Sequence, residues 1–129
     1  MAVAKQLSVM AENKRGALAE ICTKLAEKAV NISALLVPDQ MGVAPLRLVV
    51  NNLETAKKVF EGLGLKYTEE DVLTVTVSDR PGALGKLTRK LADNNIDVTY
   101  AYGTILKGSE KAMIVLALSD LTSAAKVMK

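Results

Sequence analysis

The chain states its pattern twice. Asn13-Lys14-Arg15-Gly16-Ala17-Leu18 returns as Asp79-Arg80-Pro81-Gly82-Ala83-Leu84, 66 residues later from glycine to glycine. At that offset Ile21 meets Leu87 and Leu25 meets Leu91. Val30-Asn31-Ile32-Ser33 meets Ile96-Asp97-Val98-Thr99, and Leu48-Val49-Val50 meets Ile114-Val115-Leu116. A repeat of this length exceeds the roughly 20–50 residues of solenoid units, so it points to two small duplicated domains. The expected division is residues 1–70 and 71–129, with Glu69-Glu70-Asp71 as the linker.

Within each copy the hydrophobic rhythm changes from period two to period 3.6 and back. Gln6–Ala11 alternates as a strand does, and Lys14-Arg15-Gly16 breaks the run. From Ala17 to Ala29 the residues Leu18, Ile21, Cys22, Leu25, Ala26 and Ala29 fall on one face of a helix. Asn31–Val37 reads as a strand ended by Pro38-Asp39, and Pro45 delays the next strand to Leu46–Val50. Asn51-Asn52 offers a cap for a helix carrying Ala56, Val59, Phe60 and Leu63. Gly62 and Gly64 bracket its end, and Leu65–Thr68 is a short strand. The order restarts with strand Val72–Ser78, helix Ala83–Asn94, strands Ile96–Leu106 and Ala112–Leu118, and a helix capped by Asp120. The fold class is therefore α+β, a duplicated ferredoxin-like βαββαβ sandwich lacking the last strand of the second copy. That gap leaves Val72–Ser78 as an open edge, and open edges are paired or covered, so a homodimer is expected.

Composition removes several functions. Aromatic content is 3% and the chain has no histidine. Base-stacking RNA recognition needs exposed aromatics. The net charge of +3 is spread evenly, with nine basic and eight acidic residues through Glu70 and eight and six after it. No basic face marks a nucleic-acid partner. The single cysteine, Cys22, permits no intramolecular disulfide and reads as a small buried hydrophobe. No Cys/His/Asp cluster has metal spacing, and no nucleophile elbow or phosphate loop is present, so neither a metal, a cofactor nor catalysis is expected. The start lacks the pattern of a signal peptide and no apolar run reaches the ~18 residues of a membrane span, so the chain reads as soluble and cytoplasmic, with no membrane partner.

The repeated junction of strand, polar loop, glycine and helix has the chemistry of a binding site. Glycine permits close approach or an unusual backbone angle. The first N–H groups of a helix lack internal partners and attract carboxylates. Here Ala11-Glu12-Asn13-Lys14-Arg15-Gly16-Ala17-Leu18, followed by Val30-Asn31-Ile32, resembles the ACT domain. Ser78-Asp79-Arg80-Pro81-Gly82-Ala83-Leu84, followed by Asn95-Ile96-Asp97-Val98, resembles a second copy. The resemblance implies a non-catalytic regulatory module that binds an amino acid or similar small effector at the loops between the first strand and first helix of each copy and at a domain interface. It also implies, as an alternative, a subunit that acts through a partner enzyme of amino-acid metabolism. In serine-sensing ACT domains an asparagine in the loop and one on the second strand hold the effector. Asn13 and Asn31 match those positions, and Asp79 and Asp97 match them in the second copy. Ala11 stands where those domains often carry histidine, which leaves the effector unnamed.

The implied ligand-binding set is Asn13, Lys14, Arg15, Gly16, Ala17, Leu18 and Asn31, with Asp79, Arg80, Gly82, Ala83, Leu84 and Asp97. The two sites should differ, because asparagine both donates and accepts whereas ionised aspartate only accepts. Plainer readings stand beside this one. Asn13 and Asp79 fit helix caps, Asn31 and Asp97 fit turns before strands, and Gly16 and Gly82 fit ordinary turns. Lys14, Arg15 and Arg80 fit solvated loop charges, and Tyr100 and Tyr102 fit either sheet packing or a ligand wall.

Overall fold

The computed structural model describes residues 2–12, 15–38, 43–105 and 108–128. Six strands and four helices follow in the order β1 (Ala2–Glu12), α1 (Ala17–Glu27), β2 (Ile32–Leu36), β3 (Val43–Val50), α2 (Leu53–Gly62), β4 (Lys66–Ser78), α3 (Ala83–Asp93), β5 (Val98–Ile105), β6 (Lys111–Leu118) and α4 (Leu121–Val127). The strands are hydrogen-bonded in the order β2-β3-β1-β4-β6-β5. This is an α+β fold with a duplicated ferredoxin-like pattern.

The chain forms two compact units: an N-terminal unit of Lys5–Glu70, and a C-terminal unit that joins Met1–Ala4 to Asp71–Lys129. The expected linker does not exist as a linker. Glu69-Glu70-Asp71 lies inside the 13-residue strand β4, which closes one unit and opens the other without leaving extended geometry. Strand β4 lies between β1 and β6, so Val72–Ser78 is not an open edge. The first residues of β1 occupy the place of the missing eighth strand. Thr74 Oγ1 donates to the carbonyl of Ala2 at 3.2 Å within that unit. The edge argument for a homodimer is removed by this contact.

Each unit buries one aliphatic core between its helices and one sheet face. In the N-terminal unit Leu7, Val9, Leu48, Ile21, Leu25 and Phe60 are among the buried set. In the C-terminal unit Leu73, Val75, Leu116, Leu87, Leu91 and Ala124 are. Only Ile21 and Leu25 of α1 are fully buried; Ala26 is exposed within the helix, and Ala29 is exposed beyond its end at Glu27. Cys22 is half-buried.

The duplication holds to within a few degrees of backbone angle. Gly16 and Gly82 have φ of +88° and +90°, and Ala29 and Asn95 have φ of +57° and +59°. Both second strands carry an irregularity in register, between Ile32 and Ala34 and between Val98 and Tyr100. The offset, however, changes along the copy. Leu7 pairs with Leu48 whereas Leu73 pairs with Leu116, so the third strands match at 68 residues and not at 66. The caps Asn52 and Asp120 share the longer offset, and each accepts from the backbone N–H three residues on, at 3.1 and 3.0 Å. A shift of two leaves every side chain on its face, so the apolar pattern is blind to it.

Strand β3 begins at Val43 and runs through Pro45. Pro45 is placed opposite Met10 of β1, while pairing with β2 ends at Leu36 and Arg47 among the described residues. With one paired neighbour there, the missing N–H costs no second ladder bond.

Candidate functional site

The loop between β4 and α3 shapes the clearest site. Asp79 extends the β4–β6 ladder, its N–H donating to the Glu110 carbonyl at 2.7 Å. Arg80 N–H turns back to the Ser78 carbonyl at 3.0 Å. Gly82 then takes the left-handed angle and caps α3 with no side-chain hydrogen bond. The intrahelical ladder starts with Lys86 N–H to the Gly82 carbonyl at 3.0 Å, and the N–H groups of Leu84 and Gly85 have no partner among the described residues. Asp79 is thus not a helix cap. Its carboxylate and the Arg80 guanidinium are both exposed, and among the described residues neither makes an ion pair or a side-chain hydrogen bond.

These groups border a cleft of about 490 Å³ lined by Asp79, Arg80, Leu84, Gly103, Ile105 and Ile114 among others. That size suits a small molecule. A second cleft of about 630 Å³ shares Ser78, Asp79 and Arg80 and adds Ser109, Glu110 and Lys111. The two therefore meet at the loop. One end offers exposed charges of both signs together with unpartnered amide hydrogens, and the other is aliphatic.

The matching junction of the N-terminal unit keeps Gly16 as a left-handed cap of α1, again with no side-chain cap bond. Arg15 is exposed, Ala17 is half-buried, and Leu18 packs against the core. Asn13 and Lys14 lie outside the described residues. The two junctions differ at one position in particular: Leu18 is partly buried, whereas Leu84 is 50% exposed.

Asn31 and Asp97 are not brought to these loops within either unit. Val98 pairs with Leu118 at one end of the sheet, and Ile105 pairs with Ala112 at the cleft end. Seven residue steps at about 3.3 Å separate the two ends by roughly 23 Å. The backbones of Asn31 and Asp97 hold the start of the following helix. Asn31 N–H donates to Asn51 Oδ1 at 2.9 Å and Asn51 N–H returns to the Asn31 carbonyl at 3.1 Å. Asp97 N–H donates to Ser119 Oγ at 2.9 Å and Ser119 N–H returns to the Asp97 carbonyl at 2.9 Å. Tyr100 and Tyr102 pair with Ala117 and Val115, opposite to the sheet face of Gly103 and Ile105, and neither lines the cleft. The residues that the sequence did not mark are Gly103, Ile105, Ala112 and Ile114. Their only signal was alternation in β5 and β6, which does not separate a ligand wall from a core face.

Among the described residues no group of three or more His, Cys, Asp or Glu side chains could hold a metal ion. No described helix is long and apolar enough to cross a membrane.

Comparison with known proteins places this architecture. The structure of protein BT0572 from Bacteroides thetaiotaomicron is 29% identical over 98% of this chain and 86% of that one, with a TM-score of 0.91. The ligand-free regulatory subunit of aspartate kinase from Thermus thermophilus is 14% identical, over 99% of this chain and 95% of that one, with a TM-score of 0.69. Its counterpart from Thermus flavus is also 14% identical, over 100% and 98%, with a TM-score of 0.68. At 14% identity the likeness is one of fold. No curated protein matches the chain. The family model described as an ACT domain pair matches residues 1–128, and the chain belongs to that family.

Proposed function

We propose that this ACT domain pair is a non-catalytic regulatory module that binds a small amino-acid-like effector at its strand–glycine–helix junctions. The two ACT modules are taken as residues 1–70 and 71–129, with Ala2–Ala4 completing the second. The observation that carries the reading is that one cleft is lined by both Asp79, whose carboxylate is unpaired among the described residues, and Leu84, whose helix-terminal N–H has no partner among them. An α-amino acid presents the complementary pair, an ammonium for the aspartate and a carboxylate for the helix terminus. The corresponding set at the first junction is Asn13, Lys14, Arg15, Gly16, Ala17 and Leu18.

Calorimetry with the free amino acids tests this. Binding that weakens at least tenfold in Asp79→Asn is the expected result, and no binding of any amino acid refutes it. Asp97→Asn, about 23 Å away by strand length, should leave binding to an isolated chain unchanged.

A second reading is a regulatory subunit acting in the cytoplasm through a separate enzyme. Its support is the fold shared with aspartate kinase regulatory subunits. Affinity purification from the native cell tests it, since a free-standing sensor retains no enzyme. Self-association is proposed through an outer edge strand. Strand β5 ends the sheet and exposes Val98 and Ile105. Light scattering at micromolar concentration that finds only monomer, with and without amino acids, refutes this.

A further inference from the structure

The cleft at the β4–α3 loop has two chemically distinct ends. Asp79 and Arg80 supply charges of both signs at its polar end, where the adjoining cleft adds Glu110 and Lys111, and among the described residues none of the four makes a side-chain ion pair. The opposite wall is aliphatic: Val77, Leu84, Ile105, Ala112 and Ile114. Two of these are unusually open, Leu84 at 50% and Ile105 at 59% of full exposure. Single exposed apolar residues need no explanation, but apolar residues clustered in a groove mark a binding surface.

Gly103 keeps that wall clear. A Cβ added there would stand 2.8 Å from Ile114 Cδ1 and 3.4 Å from the Met113 carbonyl oxygen. No positive φ requires glycine at this position. Space, and not backbone angle, is what its missing side chain provides. Because Gly103 pairs with Ile114 across β5 and β6, any side chain there would displace Ile114, which lines the cleft.

We infer that the effector of the C-terminal unit is an α-amino acid with an apolar side chain, which lies against Leu84, Ile105 and Ile114 while its charged groups meet the loop. This rests on the proposed amino-acid site and adds the class of side chain. The charge pattern selects a zwitterion over a plain hydrocarbon or an anion. The aliphatic wall selects leucine-like over serine-like members, because a hydroxyl placed there would lose its water without gaining a partner. The matching junction of the N-terminal unit is not its equivalent, since Leu18 is half-buried against the core whereas Leu84 is exposed.

The test is calorimetry on the full chain with L-leucine, L-phenylalanine, L-serine and glycine, repeated in three variants. The wild-type protein should bind leucine or phenylalanine about tenfold or more tightly than glycine and serine. Ile105→Ser removes an exposed side chain, so the fold is retained, and the preference for leucine over glycine should fall about tenfold. Gly103→Ala should weaken leucine similarly through Ile114. Asp79→Asn should weaken all four ligands alike, which assigns the signal to this cleft. Serine or glycine binding as tightly as leucine overturns the inference and leaves the amino-acid site standing. So does leucine binding that is unchanged in Ile105→Ser. Leucine binding unchanged in Asp79→Asn places the ligand elsewhere and overturns it as well. No binding of any amino acid removes both readings.

Discussion

Replacing Gly82 with alanine, and in a separate variant Gly85 with alanine, should move stability in opposite directions. The two positions are three residues apart in the same compact unit. Neither added Cβ would meet any atom within 4 Å, so sterics with neighbours are removed from the comparison. Gly82 sits at φ +90°, where an L-residue pays a backbone cost of about 1–2 kcal/mol. Alanine also restricts the unfolded chain, which returns about 0.4–1 kcal/mol. The net expectation is a loss of about 1 kcal/mol. Gly85 lies in the first turn of α3 and has no positive φ. Alanine there should gain about 0.5–1 kcal/mol from helix propensity. The variants should therefore differ by nearly 2 kcal/mol. Urea unfolding followed by circular dichroism measures this. With a slope of about 1–3 kcal/mol per molar, the midpoints should separate by on the order of 1 M. Gly82→Asn should fall between wild type and Gly82→Ala, since asparagine tolerates the left-handed region better. Gly16, at φ +88°, should repeat the loss in the other unit. A neutral Gly82→Ala, or two shifts of the same sign, would refute the claim that backbone angle is why glycine stands at this junction.

Three further outcomes are expected. Ala29→Gly should stabilise by up to about 1 kcal/mol and Asn95→Gly by less, because both sit at positive φ and asparagine already accommodates it; chemical denaturation reads both. The side chain of Phe60 is fully buried, so Phe60→Ala should cost about 3–5 kcal/mol, seen as early loss of the N-terminal unit in hydrogen exchange. The Ser123 hydroxyl and backbone N–H hold the Asp120 carboxyl below its ordinary value of 3.8, so its capping contribution is present above that value and is lost as pH falls through the lowered folded value. The stability difference between wild type and Asp120→Asn should be constant above that window and shrink as pH falls through it, whereas Asn52→Ala should cost about 1 kcal/mol at every pH.

Much of the fold was legible because duplication and periodicity are local. The helix expected over Ala17–Ala29, which ends at Glu27, the caps at Asn52 and Asp120, and the glycines that open α1 and α3 all rest on residues within a turn of one another. Charge composition and the lack of histidine likewise narrow the chemistry without reference to fold. The glycine–helix junction could be marked as a site for the same reason: strand, loop, glycine and cap are contiguous.

What pattern could not supply was pairing between distant segments. That Ala2–Ala4 would complete a unit beginning at Asp71 depends on a hydrogen-bonded ladder between residues some seventy positions apart, and Ala2-Val3-Ala4 carries no strand signature of its own. That β4 would run unbroken through Glu69-Glu70-Asp71 is decided by pairing with strands distant in sequence, which overrides the turn-like composition. The two-residue slip between copies left every face unchanged, so alternation could not register it. The cleft is the same case. Gly103 and Ile114 face each other only across β5 and β6, and Leu84 reaches the same wall only because α3 packs on that sheet face. Local pattern located the loop, while strand register and helix packing decided which side chains line the cleft beside it.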